Sequence, residues 1–151
     1  MNTNAIFNRL PGLNFVSNKK HFALLFRRLM RVYGCEFDFS PHTFLLPHDR
    51  QALMMAMKQH KDKTIILKPE SGAEGNGILL VKDYKSIPNI AFQKPYIAQE
   101  YIEEPYVLDN KKFDLRIYVM VTSLGSGTSG DDPITAFIAD EGMVRFCTED
   151  Y

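Results

Sequence analysis

The chain has 151 residues, 45% of them hydrophobic, which is enough for one domain with a buried core and too apolar for a disordered segment. Lys+Arg and Asp+Glu both number 18, so no bulk charge draws the protein to nucleic acid or membrane, and a charged partner must be met by a local patch. Cys35 and Cys147 lie far apart, with no CxxC pair and no zinc-like His cluster, and read as reduced, partly buried thiols of a cytosolic protein.

The opening segment MNTNAIFNRLPGLNF has no charged region leading into a long apolar stretch, and no run approaches membrane-spanning length, so a cytoplasmic location is expected. From Ser17 to Tyr33 the spacing of Phe22, Phe26, Leu29 and Tyr33, with Leu25 and Met30 beside them, predicts an amphipathic helix. Ser17 or Asn18 can cap it and Gly34 can end it. Its other face carries Lys19, Lys20, Arg27, Arg28 and Arg31, either a solvated surface or a docking face for an acidic polymer.

EFDFSPHTFLLP reads as an irregular or short-strand connector, because Pro41 and Pro47 interrupt regular pairing. A helix follows from about Asp49 to His60, with Met54, Met55 and Met57 as core filler. Short β-rich runs come next at Thr64–Leu67, Ile78–Val81 and Tyr96–Gln99, and Phe113–Thr122 is the strongest strand candidate. Gly125 to Asp132 has the composition of a flexible loop, and PITAFIADEGMVRF predicts a hairpin turning at Asp140-Glu141-Gly142. Helices first and strands afterwards imply an α/β or α+β domain: a helical part and connector over about residues 1–62, then a mostly antiparallel sheet over about 63–151.

Three stretches could carry chemistry. In TIILKPESGAEGNGILLV the glycines Gly72, Gly75 and Gly77 follow a Lys-Pro between two apolar runs. The order is wrong for a P-loop, where lysine follows the glycines, and a strand rather than a helix comes after Gly77. Either an ordinary hairpin or a phosphate cradle remains, the latter with backbone N–H groups in the turn and Lys68 as a point charge. In YIAQEYIEEP a strand exits through Gln99, Glu100, Tyr101 and Ile102, which suits an edge strand or a backbone hinge for a flat heterocycle. In NKKFDLRIYVMV, alternation puts Lys112, Asp114 and Arg116 on one strand face and Phe113, Leu115 and Ile117 on the other. Three charges in a row make an exposed sheet face or a site wall.

Taken in order, the glycine-flanked Lys-Pro, QEYI, KFDLR before a long apolar strand, and EGMVRF resemble the tubulin–tyrosine ligase-like family, which has an ATP-grasp type of fold. FNRLPGLNFVSNKKHFALLFRRL and EFDFSPHTFLLP resemble the family's upstream segments, so the likeness runs from about Phe7 to Tyr151. QEYIEEPYVLDNKKFDLRIYVMVTS is more similar to the tubulin polyglutamylases than to the tyrosine ligase. Such enzymes join glutamates to glutamate side chains in tubulin's acidic tails, using ATP to make an acyl phosphate that an amine attacks. The resemblance therefore implies ATP and Mg2+ as cofactors, L-glutamate and microtubules as partners, a monomer with no nucleic-acid or membrane partner, and a place on the cytoskeleton, cilium or basal body.

The same resemblance implies roles position by position. Lys68 contacts the ATP phosphates, with Glu74 and Gly75 in the flap over them. Gln99, Glu100, Tyr101 and Ile102 form the adenine hinge; Lys112, Phe113 and Asp114 bind ribose or phosphate. Arg116 faces the same cleft, and Arg145 holds the incoming amino acid's carboxylate, for which a guanidinium fork is suited. Glu74 stands where the family has uncharged or basic residues, and a carboxylate there repels a triphosphate unless it is paired. The family's magnesium ligands, an Asp and a Glu-x-Asn after a Thr-Asn motif, have no counterpart here. The expectation is thus the N-terminal portion of a catalytic domain, truncated and inactive alone, with a non-catalytic binding module or a glycine or tyrosine ligase as the alternative readings.

Overall fold

A computed structural model describes residues 12–71, 75–125 and 134–151. The chain divides into two compact units, Met1–Glu103 and Glu104–Tyr151. No helix of the described residues is long and apolar enough to cross a membrane.

The first unit opens with a short helix, α1 (Leu13–Ser17), and a longer one, α2 (Lys19–Tyr33). The start of α2 is fixed by Asn18, whose side-chain oxygen accepts the Lys20 and His21 N–H groups at 3.0 and 3.2 Å, orphan donors of the first turn. It ends at Gly34, whose φ of 63° suits glycine and whose N–H bonds the Met30 carbonyl. None of its residues is fully buried. Its apolar stripe rests instead on an aromatic cluster, with Phe26 4.4 Å from Phe22 and 5.1 Å from Phe39, and Phe37 5.6 Å from Tyr33, centroid to centroid.

The Pro-flanked connector contains β1 (Thr43–Leu46), whose Phe44, Leu45 and Leu46 are buried. Helix α3 (Arg50–Gln59) follows, then β2 (Ile65–Pro69), β3 (Leu79–Val81) and β4 (Tyr96–Glu100). These strands form one antiparallel sheet in the order β1-β4-β2-β3. The pleat separates its faces. Phe44, Leu46, Ile65, Leu67 and Ala98 pack with Leu53 and Met57 of α3 into the core. Fully burying side chains such as Leu53 and Leu67 stabilises by about 1.5–3 kcal/mol each. The opposite face presents Thr43, Lys68, Ile97 and Gln99, which share a pocket with residues of α1 and α2. Of the three methionines expected in the core only Met57 is buried; Met55 lies on the outer side of α3 and is exposed.

The second unit holds β5 (Phe113–Arg116), β6 (Val119–Ser123), β7 (Thr135–Ile138) and β8 (Met143–Phe146). The single strand expected over Phe113–Thr122 is two strands, and the hairpin expected at Asp140-Glu141-Gly142 does not form. β5 pairs with β8 and β6 with β7, so the pairs are nested along one interrupted ribbon. Two residues, 117 and 118, separate β5 from β6, whereas four, 139–142, separate β7 from β8. The excess is taken up as a bulge-like break, bridged by the Ala139 N–H to the Tyr118 carbonyl at 3.0 Å. At the break a Cβ on Gly142 would stand 2.6 Å from the Arg116 carbonyl oxygen. This contact explains the glycine that resembled a turn residue.

Candidate functional site

Lys68 leaves β2 on the face away from the core. It stands opposite Ile97, and Gln99 is its diagonal neighbour on β4. Its ammonium donates to Gln99 Oε1 at 2.9 Å. Gln99 Nε2 donates to Thr43 Oγ1 at 2.9 Å, and that hydroxyl donates to the Pro41 carbonyl at 2.8 Å. A hydroxyl has one proton. Because Thr43 directs its proton at Pro41, it must accept from the amide NH2, and this orients the Gln99 carbonyl toward Lys68. Burial, and then the charge of Lys19, push the Lys68 ammonium below the ordinary lysine value.

Two cavities lie between the α2 segment and this sheet. The smaller, about 370 Å³, is lined by Lys68, Gln99, Thr43 and Lys19 among others. The larger, about 810 Å³, is lined by α2, by the segment from Asp38 to Thr43, and by Glu100, Tyr101 and Ile102. Ala23, Ser40 and Thr43 border both. Lys68 and the segment Gln99–Ile102 are thereby brought to neighbouring cavities, which local sequence pattern alone does not show.

Backbone donors of the segment Gln99–Ile102 are engaged within the sheet. The Glu100 N–H bonds the His42 carbonyl and the Tyr101 N–H bonds the Thr64 carbonyl, both at 2.9 Å, so these two donors are already used within the sheet. The Glu100 side chain pairs with Lys63 at 2.8 Å, and Glu103 accepts from the Thr64 backbone N–H at 3.0 Å and from its hydroxyl. Lys63, Thr64 and Glu103 thus anchor the exit of β4. Ile102, beyond these anchors, is exposed and lines the larger cavity.

The glycine segment joins β2 to β3 as an antiparallel hairpin. Gly75 and Gly77 have φ of 79° and 74°, and a Cβ on Gly77 would lie 3.0 Å from the Pro69 ring. Glu74, with Gly72, lies outside the described residues, as does most of the Gly125–Asp132 loop. The basic face of α2 is not uniformly solvated. Arg27 pairs with Asp49 at 2.6 Å and donates to the Thr43 carbonyl at 3.0 Å, and Lys19 donates to the Pro69 carbonyl at 3.3 Å. Asp49 also accepts the Leu45 N–H at 2.8 Å.

In the second unit, Asp114 on β5 faces Arg145 on β8. Arg145 Nε and Nη2 donate to the two carboxylate oxygens at 2.7 and 2.9 Å. The hydrogen bond from Arg145 lowers the Asp114 pKa and the same contact raises that of Arg145. Two residues expected to contact different ligands therefore hold each other. Arg116, two residues after Asp114 on β5, lowers the Asp114 pKa further by its charge. Lys112 lies just before β5 with its ammonium 3.8 Å from the Tyr151 ring centroid, and Phe113 stacks at 5.9 Å on Phe146. Cys35 and Cys147 are both exposed, which corrects the expectation of partly buried thiols; Cys35 lies in the 3-10 turn Gly34–Phe37 and Cys147 follows β8.

The first unit is thus a mixed helix and antiparallel-sheet body with a lysine in a cleft beside a glycine hairpin, and the whole is consistent with part of an ATP-grasp-like domain. The chain matches the tubulin-tyrosine ligase family over residues 1–151 and belongs to it. It is 39% identical over 145 residues to tubulin polyglutamylase ttll6 of Danio rerio and 37% identical over 147 residues to tubulin polyglutamylase TTLL6 of Mus musculus. It is also 33% identical over 152 residues to tubulin polyglutamylase TTLL11 of Mus musculus. Each match covers 95% of this chain, but only 17%, 16% and 20% of the respective relative.

Proposed function

We propose that this chain is part of an ATP-dependent ligase that adds glutamate to glutamate side chains in the acidic tails of tubulin. The observation that carries the reading is Lys68: a half-buried ammonium, oriented by Gln99, at the wall of a cavity and beside a glycine hairpin. A buried cation is unfavourable unless an anion meets it, and phosphate is the ligand that glycine turns and lysine suit together. Likeness to several polyglutamylases at 33–39% identity supports the choice of tubulin and glutamate.

In this reading Lys68 holds nucleotide phosphates, Gly75 and Glu74 belong to the flap, and Gln99, Glu100, Tyr101 and Ile102 border the adenine. Ile102 supplies the apolar contact, since the Glu100 and Tyr101 N–H groups are used within the sheet. Lys112, Phe113 and Asp114 serve ribose or phosphate, Arg116 faces the cleft, and Arg145 takes the glutamate carboxylate. A tail carboxylate would take the γ-phosphoryl group of ATP, with ADP leaving, and the amine of glutamate would then attack the acyl carbon, with inorganic phosphate and a proton leaving as the amide forms; the protein's part is to position and neutralise negative charge. Among the described residues no group of three His, Cys, Asp or Glu could hold a metal ion, so no magnesium ligand is assigned to them. The tail itself would meet Lys20, Arg28 and Arg31, and the setting is the cytoskeleton, with the cilium as one site.

The domain is proposed to be partial, a helical part to about residue 62 and a nucleotide-binding sheet after it, and inactive in ligation by itself. Turnover of glutamate onto tubulin by residues 1–151 would overturn that part. Calorimetric titration with ATP tests the central claim: Lys68→Ala should bind at least about tenfold more weakly than wild type, a loss in the range of one charge-assisted hydrogen bond. Equal affinities would remove the phosphate contact. One observation favours a second reading, a nucleotide- or microtubule-binding module without ligation: the Arg145 fork is occupied by Asp114.

A further inference from the structure

Thr43 has no part in the proposed ligand contacts, yet it stands in the hydrogen-bond relay that begins at Lys68. The relay crosses three strands, from Lys68 on β2 to Gln99 on β4 to Thr43 on β1, which pairs with Gln99 in register. Its direction is set at both ends. An ammonium can only donate and a carbonyl can only accept, so between Lys68 and the Pro41 carbonyl Gln99 accepts from the lysine and donates to Thr43.

Lys68 by itself does not hold Gln99 once an anion arrives. The two ends of an amide are alike in shape, and turned over it would offer its NH2 to the anion and withdraw its carbonyl from the ammonium. Thr43 opposes this. The turned amide would set its oxygen 2.9 Å from a hydroxyl oxygen whose proton is held by the Pro41 carbonyl at 2.8 Å, two acceptors with no proton between them. Thr43 is itself fixed: β1 pairs with β4, Arg27 donates to the Thr43 carbonyl at 3.0 Å, and the ring of Pro41 stiffens the backbone two residues before it.

We infer that Thr43 is a positioning residue for the anion bound by Lys68: it keeps the Gln99 carbonyl on the ammonium, so that the lysine meets a phosphate already aligned. The inference rests on the nucleotide reading for the identity of the anion. Among the described residues Gln99 takes one of the three ammonium donors, which leaves two for phosphate oxygens, and alignment before binding reduces the side-chain freedom lost on binding. The residue that supplies it lies in the Pro-flanked connector, 56 residues from Gln99 in sequence.

Calorimetric titration of the 151-residue chain with tripolyphosphate and with ATP tests the inference. Thr43→Val keeps the shape of the side chain and removes the hydroxyl; it should weaken both ligands about fivefold, the scale of one net hydrogen bond. Thr43→Ala, which cannot crowd the strand, should match it. Thr43→Ser restores the hydroxyl and should bind as wild type does. In a Gln99→Met background the further change Thr43→Val should have no effect, because the threonine acts through the amide. Wild-type affinity in Thr43→Val and Thr43→Ala, alongside a loss in Lys68→Ala, would overturn the role of Thr43 and leave the nucleotide reading standing. A loss of equal size with and without Gln99 would overturn it as well, since Thr43 would then act independently of the amide. Thr43-dependent binding of tripolyphosphate without binding of ATP would keep the positioning role and remove the nucleotide. Failure of wild type to bind either would remove both.

Discussion

Asp114 and Arg145 meet across adjacent strands through two parallel hydrogen bonds of 2.7 and 2.9 Å, with both side chains about 60% exposed. Water and salt screen such a pair, so it contributes little to stability. Its geometry is that of a guanidinium whose Nε and Nη2 edge already holds one carboxylate, that of Asp114. A guanidinium has five N–H donors, and among the described residues two of them hold Asp114. The pair can therefore keep Arg145 aimed while other donors face a second carboxylate.

The first prediction follows from that fork. In a ligating form of the protein, Arg145→Lys should raise the KM for glutamate about tenfold, because an ammonium cannot reproduce two parallel bonds. The thermal unfolding midpoint should stay close to wild type. An unchanged KM would show that the pair is only a surface contact.

The second concerns Asp49, which ties α2 to β1 through Arg27 and the Leu45 N–H. Burial raises its pKa, but the hydrogen bonds from Arg27 and Leu45 and the charges of Arg27 and His48 outweigh this, and the net shift is downward from 3.8. A lowered carboxylate pKa stabilises the fold fully above the unfolded value and loses that effect as pH falls through the folded value. Asp49→Asn should thus cost roughly 1–3 kcal/mol at neutral pH. In urea titrations the difference from wild type should shrink as pH drops below 3.8; a difference independent of pH would contradict the assignment.

Gly142 supports a third. A methyl group there would lie 2.6 Å from the Arg116 carbonyl oxygen, a backbone atom that cannot swing aside. Gly142→Ala should force the two halves of the ribbon apart at a cost of about 1–3 kcal/mol. Hydrogen exchange should report it as faster exchange at Ala139, whose N–H bridges the break. Unaltered exchange there would mean that the break is slack.

That break also shows where sequence pattern stops being informative. α2 was legible from Asn18, Gly34 and the spacing of its aromatic residues, because caps and helical periodicity are local. The strand runs were legible for the same reason, but their partners were not: Asp140-Glu141-Gly142 has the composition of a turn, and only the pairing of β5 with β8 turns it into a bulge. Lys68 stood out beside its glycines, whereas its orientation by Gln99 and Thr43 depends on the β1-β4-β2 register, over separations of 31 and 56 residues. The Arg27 side chain, read as part of a solvated surface or a docking face, is held by Asp49, 22 residues away.

The last prediction sets stability against binding at Lys68. A lysine whose folded pKa is lowered binds protons less well folded than unfolded, so its burial works against folding below the folded pKa and ceases to do so as the group loses its proton. Lys68→Met keeps the length of the side chain and removes the charge, leaving Gln99 to lose one partner. If desolvation of the ammonium is the larger effect, as its first place among the causes of the shift indicates, the variant should unfold at a higher temperature than wild type near neutral pH. The gain should narrow as pH approaches the lysine range, where the wild-type group is neutral as well. ATP binding should fall in the same variant, by at least about tenfold. A residue that stabilises the ligand complex while destabilising the empty protein has the signature of a functional site. Loss of stability together with unchanged ATP affinity would mark Lys68 as a structural lysine of the sheet.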